Sequence, residues 1–184
     1  MRPKILKDKI LHAGRHLELV ERAFCDRHGK THQWEMVRRK TFGPVVAIAA
    51  VTARREIVLV KEFRAPIGAY ILEMPAGLMD IRGESPRQVA RRELLEETGY
   101  TADRFELIAR GPFTAGLTPE EIAVYLAYPA RRVAKPRLTA TEDIEVVLVE
   151  TRKLFSFLNK KHPGMRVDIK IAALIPYLQK RGLI

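Results

Sequence analysis

The residue order predicts an α/β protein built around a mixed sheet, with a small β subdomain leading into it. Three observations carry that expectation. Val45 to Val51 and Ile57 to Val60 are short apolar runs bounded by turn or charged residues and joined by TARRE, the pattern of buried strands. A self-capping helix is predicted near 86–98. Ahead of both, two stretches rich in strand formers flank the turn-like DRHGK.

Taken in order, Leu17, Leu19 and Glu21, then Thr31 to Val37, predict a two-strand ribbon over residues 17–39. The two apolar runs follow Phe42-Gly43-Pro44, and Tyr70 to Met74 reads as a strand that delivers the chain to Pro75-Ala76-Gly77. Beyond the helix, Phe105 to Ala109, Ile122 to Tyr128 and Ile144 to Val149 read as strands, then come a short helix near 152–159 and a terminal one near 168–180. Pro176 should kink or shorten the last. With no internal repeat, low-complexity tract or long linker, the expected division is a β subdomain over 1–42 and a main domain over 43–184.

The helix signals are local and specific. Ser85 is a natural N-cap, Gln88 completes a capping box, Pro86 suits the first helical position and Gly99 suits the position just past the end. Val89, Ala90 and Leu94 can face a core, while Glu93 and Glu97 fall one above the other on a neighbouring stripe, with Glu96 beside Glu93. Three acids in the closing turn oppose the negative end of the helix dipole at roughly 0.3–1 kcal/mol each, so a positive partner belongs beside them. Converging hard oxygens suit magnesium, which completes its shell with water and substrate phosphate. The alternative is a solvated acidic end neutralised by Arg91 and Arg92.

Composition narrows the class. A chain of 184 residues that is 47% apolar can bury a substantial core without disulfides, and its one cysteine, Cys25, excludes an internal disulfide and favours a reducing compartment. The basic N-terminus is too charged for a secretory signal and no apolar run is long enough to span a membrane, so a cytoplasmic location is expected. The net charge of +11 attracts polyanions, which keeps a non-enzymatic RNA-binding domain as an alternative. The basic pairs are scattered, without an arginine-rich arm or zinc-finger spacing, so nucleic acid is the weaker expectation.

Gly77, Glu84, Arg92, Glu93, Leu94, Glu96, Glu97, Gly99 and Tyr100 together resemble the Nudix box. One departure stands: six residues, not five, separate Gly77 from Glu84, which puts the register of Gly77 in question while leaving the spacing from Glu84 onward intact. ILEMPAG over 71–77 with the preceding KEFR is similar to the ADP-ribose and nucleoside-diphosphate-sugar pyrophosphatase branch. The resemblance implies an α/β/α sandwich, a homodimer that exchanges the N-terminal β subdomain, and a magnesium-dependent enzyme for which manganese is a possible substitute. The reaction implied is hydrolysis of a diphosphate bond to a nucleoside monophosphate and a sugar phosphate. An RNA 5′-end or dinucleoside polyphosphate pyrophosphohydrolase shares that metal chemistry and is the alternative.

Roles follow residue by residue. Glu93 and Glu97 match the main metal ligands, with Glu96, the Ala76 carbonyl and Glu84 in the same cluster; Glu84 also suits the positive start of the helix. Arg92 is expected to orient the glutamates. Arg64 matches an arginine that contacts diphosphate or sugar, the alternative being an ion pair with Glu62 or Glu73, and Glu73 is itself a substrate-side candidate. Glu142 in TEDIEVV fits the branch's general base, with Glu145 the runner-up or simply the exposed face of a strand. Glu120 is either an assisting acid or an exposed loop acid. Trp34 either stacks on a nucleobase or packs in a core. Where the ADP-ribose group has Ser-Pro-Gly, this chain has Thr114-Ala115-Gly116, which leaves other nucleotide sugars in play.

Overall fold

The structure is a computed structural model that describes residues 2–140 and 142–184. Its first sheet has three antiparallel strands in sequence order: β1 (Lys4–Ala13), β2 (Leu17–Cys25) and β3 (Thr31–Arg39). The expected ribbon is β2 and β3, and β1 is an additional strand to which the sequence assigned no element. Every residue of β1 is exposed, so no burial alternation marks it in the sequence.

The second sheet takes β4 (Val45–Thr52), β5 (Glu56–Arg64), β6 (Ala69–Glu73), β7 (Ala76–Gly77), β8 (Tyr100–Pro112), β9 (Glu121–Arg132), β10 (Ile144–Glu150) and β11 (Met165–Val167). Its main order is β11-β6-β5-β4-β9-β8, with β10 on β5 and β7 on β4. The sheet is mixed: β4 runs parallel to β9 and β6 to β11, and the other pairs are antiparallel. Strict alternation along β4 explains its unbroken apolar run. Val46, Ile48 and Ala50 enter one core, with Val89, Ala90 and Leu94 of α1 (Pro86–Thr98), while Ala47, Ala49 and Val51 enter a second on the opposite face. That second core is closed by α2 (Leu154–Leu158), a 3-10 turn over Ile169–Leu174 and α3 (Ile175–Lys180). The result is the expected α/β/α layering, lopsided because only α1 is a long helix.

The C-terminal region is more broken than the sequence suggests. The helix expected near 152–159 is a 3-10 turn, Thr151–Lys153, running into α2, and the one expected near 168–180 changes from 3-10 to α at Ile175, with Pro176 in the first turn of α3 where a missing N–H costs nothing. β11 and β7 are additional strands, too short to carry a pattern.

Helix α1 keeps its predicted ends. The Ser85 hydroxyl accepts from Gln88 N, the Gln88 side chain accepts from Ser85 N at 2.8 Å, and Gly99 closes the helix in the left-handed region at φ 73. Ser85→Ala is therefore expected to lower unfolding free energy by about 1 kcal/mol. Urea denaturation checks it, and an unchanged midpoint would remove the cap from the account.

Candidate active site

Two local features of the fold bring the box residues together. β4 pairs with β5 only at Ala50 and Val51; nearer its start it pairs with β7, through Val46 to Gly77 and Ala47 to Ala76. Ala76 and Gly77 thus sit in a split of the sheet, directly beneath the closing turn of α1. The Ala76 amide donates to Glu97 Oε2 at 3.2 Å. A β-carbon built on Gly77 would lie 2.0 Å from Glu93 Cδ, so only glycine lets the Glu93 carboxylate lie flat on the strand. The register of Gly77 is therefore kept despite the extra residue, and the loop over 78–85 absorbs it.

The acids separate into two groups around Arg92. On one side, the Arg92 guanidinium donates from Nε and a terminal nitrogen to both oxygens of Glu84, each at 3.1 Å, and also reaches Glu93 at 2.6 Å and Glu96 at 3.2 Å. This is the positive partner the helix end requires, and it places the Arg92 guanidinium between Glu84, Glu93 and Glu96. Arg91 takes no part; its guanidinium lies 4.6 Å from the Phe105 ring centre. On the other side, Glu97 is 6% exposed and, among the described residues, accepts only from Ala76, so burial, with the neighbouring Glu93 charge, pushes its carboxyl well above the usual range. Burial also pushes Glu93 up, against the pull of Arg92. Among the described residues no three acidic, histidine or cysteine side chains are already gathered as a metal-holding group. The donor set nonetheless fits a hard divalent cation: the half-buried Glu93 and buried Glu97 lie at i,i+4 spacing beside a strand of backbone carbonyls, and while Arg92 pairs with Glu93, Glu97 has no direct cationic partner among the described residues.

Ala76 and Gly77 form one wall of a cleft of about 750 Å3 whose lining includes Arg64, Glu73, Arg39 and Glu120. Arg64 on β5 is held by its own sheet, Nε donating to Glu73 at 2.6 Å and its terminal nitrogens meeting Glu62 at 3.1 and 3.0 Å. Both expected ion pairs exist at once, and they aim the guanidinium into the cleft. Glu120 is no free loop acid: it accepts from Arg39 Nε at 2.8 Å across the cleft wall. Trp34 is not in the core. Its indole is 54% exposed, donates to Gly116 O at 3.1 Å, and borders a separate cavity of about 260 Å3.

Glu142 is a half-buried residue of the otherwise exposed loop before β10, where its carboxylate accepts from Thr139 N at 2.8 Å; Thr141, which opens TEDIEVV, lies outside the described residues. The loop is pinned beside it by Asp143, which accepts from the Tyr70 hydroxyl at 2.5 Å. Glu142 is near enough for its charge to add to the upward push that burial gives Glu62. Glu145 instead faces solvent at 67% exposure and pairs with Lys61, the exposed strand face. Glu62 stood in the sequence only as a partner for Arg64. Its 8% exposure has no sequence signal, since it follows from β10 covering the end of β5.

A glycine-bedded glutamate helix end over a split mixed sheet, with an arginine-lined cleft beside it, defines a hydrolase of the Nudix class. The chain belongs to the NUDIX domain family, which matches residues 41–167, and it is a Nudix hydrolase; such enzymes generally use divalent metal ions. Among its relatives, the ADP-ribose pyrophosphatase of Bacillus subtilis (strain 168) is 35% identical over 153 residues, 83% of this chain and 79% of that protein. The ADP-sugar pyrophosphatase of Mus musculus is 36% identical, covering 92% and 84% respectively. A crystal structure of an ADP compounds hydrolase shares the fold, with a TM-score of 0.79 at 18% identity over 100% of this chain and 98% of that one.

Proposed function

We propose that this enzyme hydrolyses the diphosphate bond of ADP-ribose or a related nucleoside diphosphate sugar with magnesium, or manganese in its place, to give a nucleoside monophosphate and a sugar phosphate. The observation that carries it is the half-buried Glu93 and buried Glu97 pair, packed behind the Ala76–Gly77 wall of the Arg64 cleft. The B. subtilis and mouse relatives, an ADP-ribose and an ADP-sugar pyrophosphatase by name, support the substrate class.

Glu93, Glu97 and the Ala76 carbonyl would hold the ion, with Glu96 and Glu84 completing the cluster through Arg92 and water. When bound, the ion neutralises phosphate charge and lowers the pKa of a coordinated water. Arg64, braced by Glu62 and Glu73, offers the outward N–H donors of its terminal nitrogens to the phosphate oxygens, and Arg39 becomes a second cation if Glu120 turns away. Glu142 accepts a proton from the attacking water as general base. The free face of Trp34 is available to a nucleobase.

The test is turnover of ADP-ribose, nucleotide sugars, dinucleoside polyphosphates and 5′-triphosphate RNA with magnesium, reading which bond breaks. Preference for RNA ends or dinucleoside polyphosphates would replace the substrate while keeping the chemistry. Glu142→Gln is expected to lower kcat by roughly 10²–10⁴-fold with little change in KM. An unchanged kcat would move the base elsewhere, with Glu62 the nearest buried acid.

A homodimer is part of the same reading. Ile5, Leu6, Ile10 and Leu11 stand exposed on β1, on a sheet that little of the chain covers. Sedimentation should give twice the 21.0 kDa chain mass. The cytoplasm, where nucleotide sugars and free thiols coexist, is the proposed location.

A further inference from the structure

The cleft holds four cations, and three are already matched. Arg39 pairs with Glu120, Arg64 with Glu62 and Glu73, and Lys170 with Asp168. Arg166 lines the same cleft, is exposed, and has no acidic partner among the described residues. Register fixes where it stands. Arg166 on β11 pairs with Ile71 on β6, and Ile71 pairs with Glu62 on β5, so the three form one row across the sheet with their side chains on one face. The Arg166 backbone is thus two strand spacings, roughly 10 Å, from that of Glu62, the residue that braces Arg64. The glutamate helix end lies at the cleft's other wall, on the Ala76–Gly77 side. Phe113 and Ile67 add apolar surface to the cleft, and the Lys170 ammonium lies 5.9 Å from the Phe113 ring centre.

Resting on the diphosphate-sugar reading above, we propose that Arg166 is a specificity-determining residue that selects nucleoside diphosphate sugars whose sugar carries an anionic substituent, a carboxylate or a phosphate. A guanidinium in a half-enclosed cleft, with its forked donors unmatched, gains most from a planar or tetrahedral oxyanion. Arg64 and Arg166 line one cleft on strands two spacings apart, which suits neighbouring groups of one elongated ligand, with the diphosphate on Arg64 and the adjoining anion on Arg166. A neutral sugar would leave that donor fork facing water.

Calorimetry in EDTA with UDP-glucuronate and UDP-glucose, which share base and diphosphate, isolates the substituent. The native enzyme is expected to bind UDP-glucuronate about tenfold tighter. Arg166→Gln should erase the difference and Arg166→Lys should restore part of it, without a change in melting temperature, since Arg166 is exposed. Equal affinity for the two ligands, no measurable binding of either, or an equal loss on both in Arg166→Gln overturns the proposal. So does a gain confined to 2′-phospho-ADP-ribose over ADP-ribose, which would put the anion on the nucleoside. Magnesium-dependent turnover of ADP-ribose by the same native sample tests the reaction itself, so a failed reaction and a failed subsite give different results.

Discussion

Glu97→Gln is expected to lower magnesium-dependent turnover by about 10³-fold or more while leaving a folded protein that is more heat-stable than the native one in the absence of metal. The two halves of that result share one cause. Glu97 is buried with a single hydrogen bond and a second carboxylate beside it, so its folded pKa stands well above its unfolded one. At low pH both states are protonated and the carboxyl imposes no charge penalty. As pH rises past the ordinary glutamate value of 4.5, the unfolded chain releases its proton while the folded one holds it, and stability is lost until the folded pKa is passed. Glutamine removes that loss without a change of shape. The metal-free melting temperature of Glu97→Gln should therefore exceed that of the native enzyme at pH 7, and the gap should close towards pH 4. Magnesium should raise the melting temperature of the native enzyme only. Undiminished turnover by the mutant would remove the glutamate pair from the chemistry; a mutant less stable than native at pH 7 without metal would show that the pair is satisfied as it stands.

Gly77→Val should inactivate by a different route. The new β-carbon would fall 2.0 Å from Glu93 Cδ and 2.2 Å from its Cγ, an overlap that no small shift relieves. Glu93 is a flexible side chain, so it can swing out towards Arg92, and the fold survives at a modest cost. Its carboxylate then leaves the Ala76–Gly77 strand by more than an ångström, and a misplacement of that size lowers turnover by roughly 10²-fold. The expected signature is a kcat loss of that order, with a cooperative melt within a few degrees of native and weakened magnesium stabilisation. Full activity would mean that the carboxylate works from another position.

Much of this site can be read from the chain because its signals are local. Ser85, Gln88 and Gly99 fix the helix ends through backbone hydrogen bonds made within a few residues, and 3.6-residue periodicity then stacks Glu93 on Glu97 whatever surrounds them. Val45 to Val51 announces a strand covered on both faces because every residue is apolar. Lys4–Ala13 gave no such signal, since a strand exposed on both faces needs no pattern. The role of Arg91 was equally hidden: its neighbour Arg92 has the same chemistry, and only the position of Phe105 separates them.

The sequence alone determined the helix, its caps, the order of the glutamates and the class of enzyme, because these depend on contacts between residues close along the chain. The tertiary structure alone decided that the extra loop residue leaves Gly77 under Glu93, that Glu62 and Glu73 both grip Arg64, and that Arg166 joins the cleft with no acidic partner among the described residues. Those outcomes depend on strand register between segments up to about a hundred residues apart, and register is set by how both cores pack, not by any one stretch of sequence.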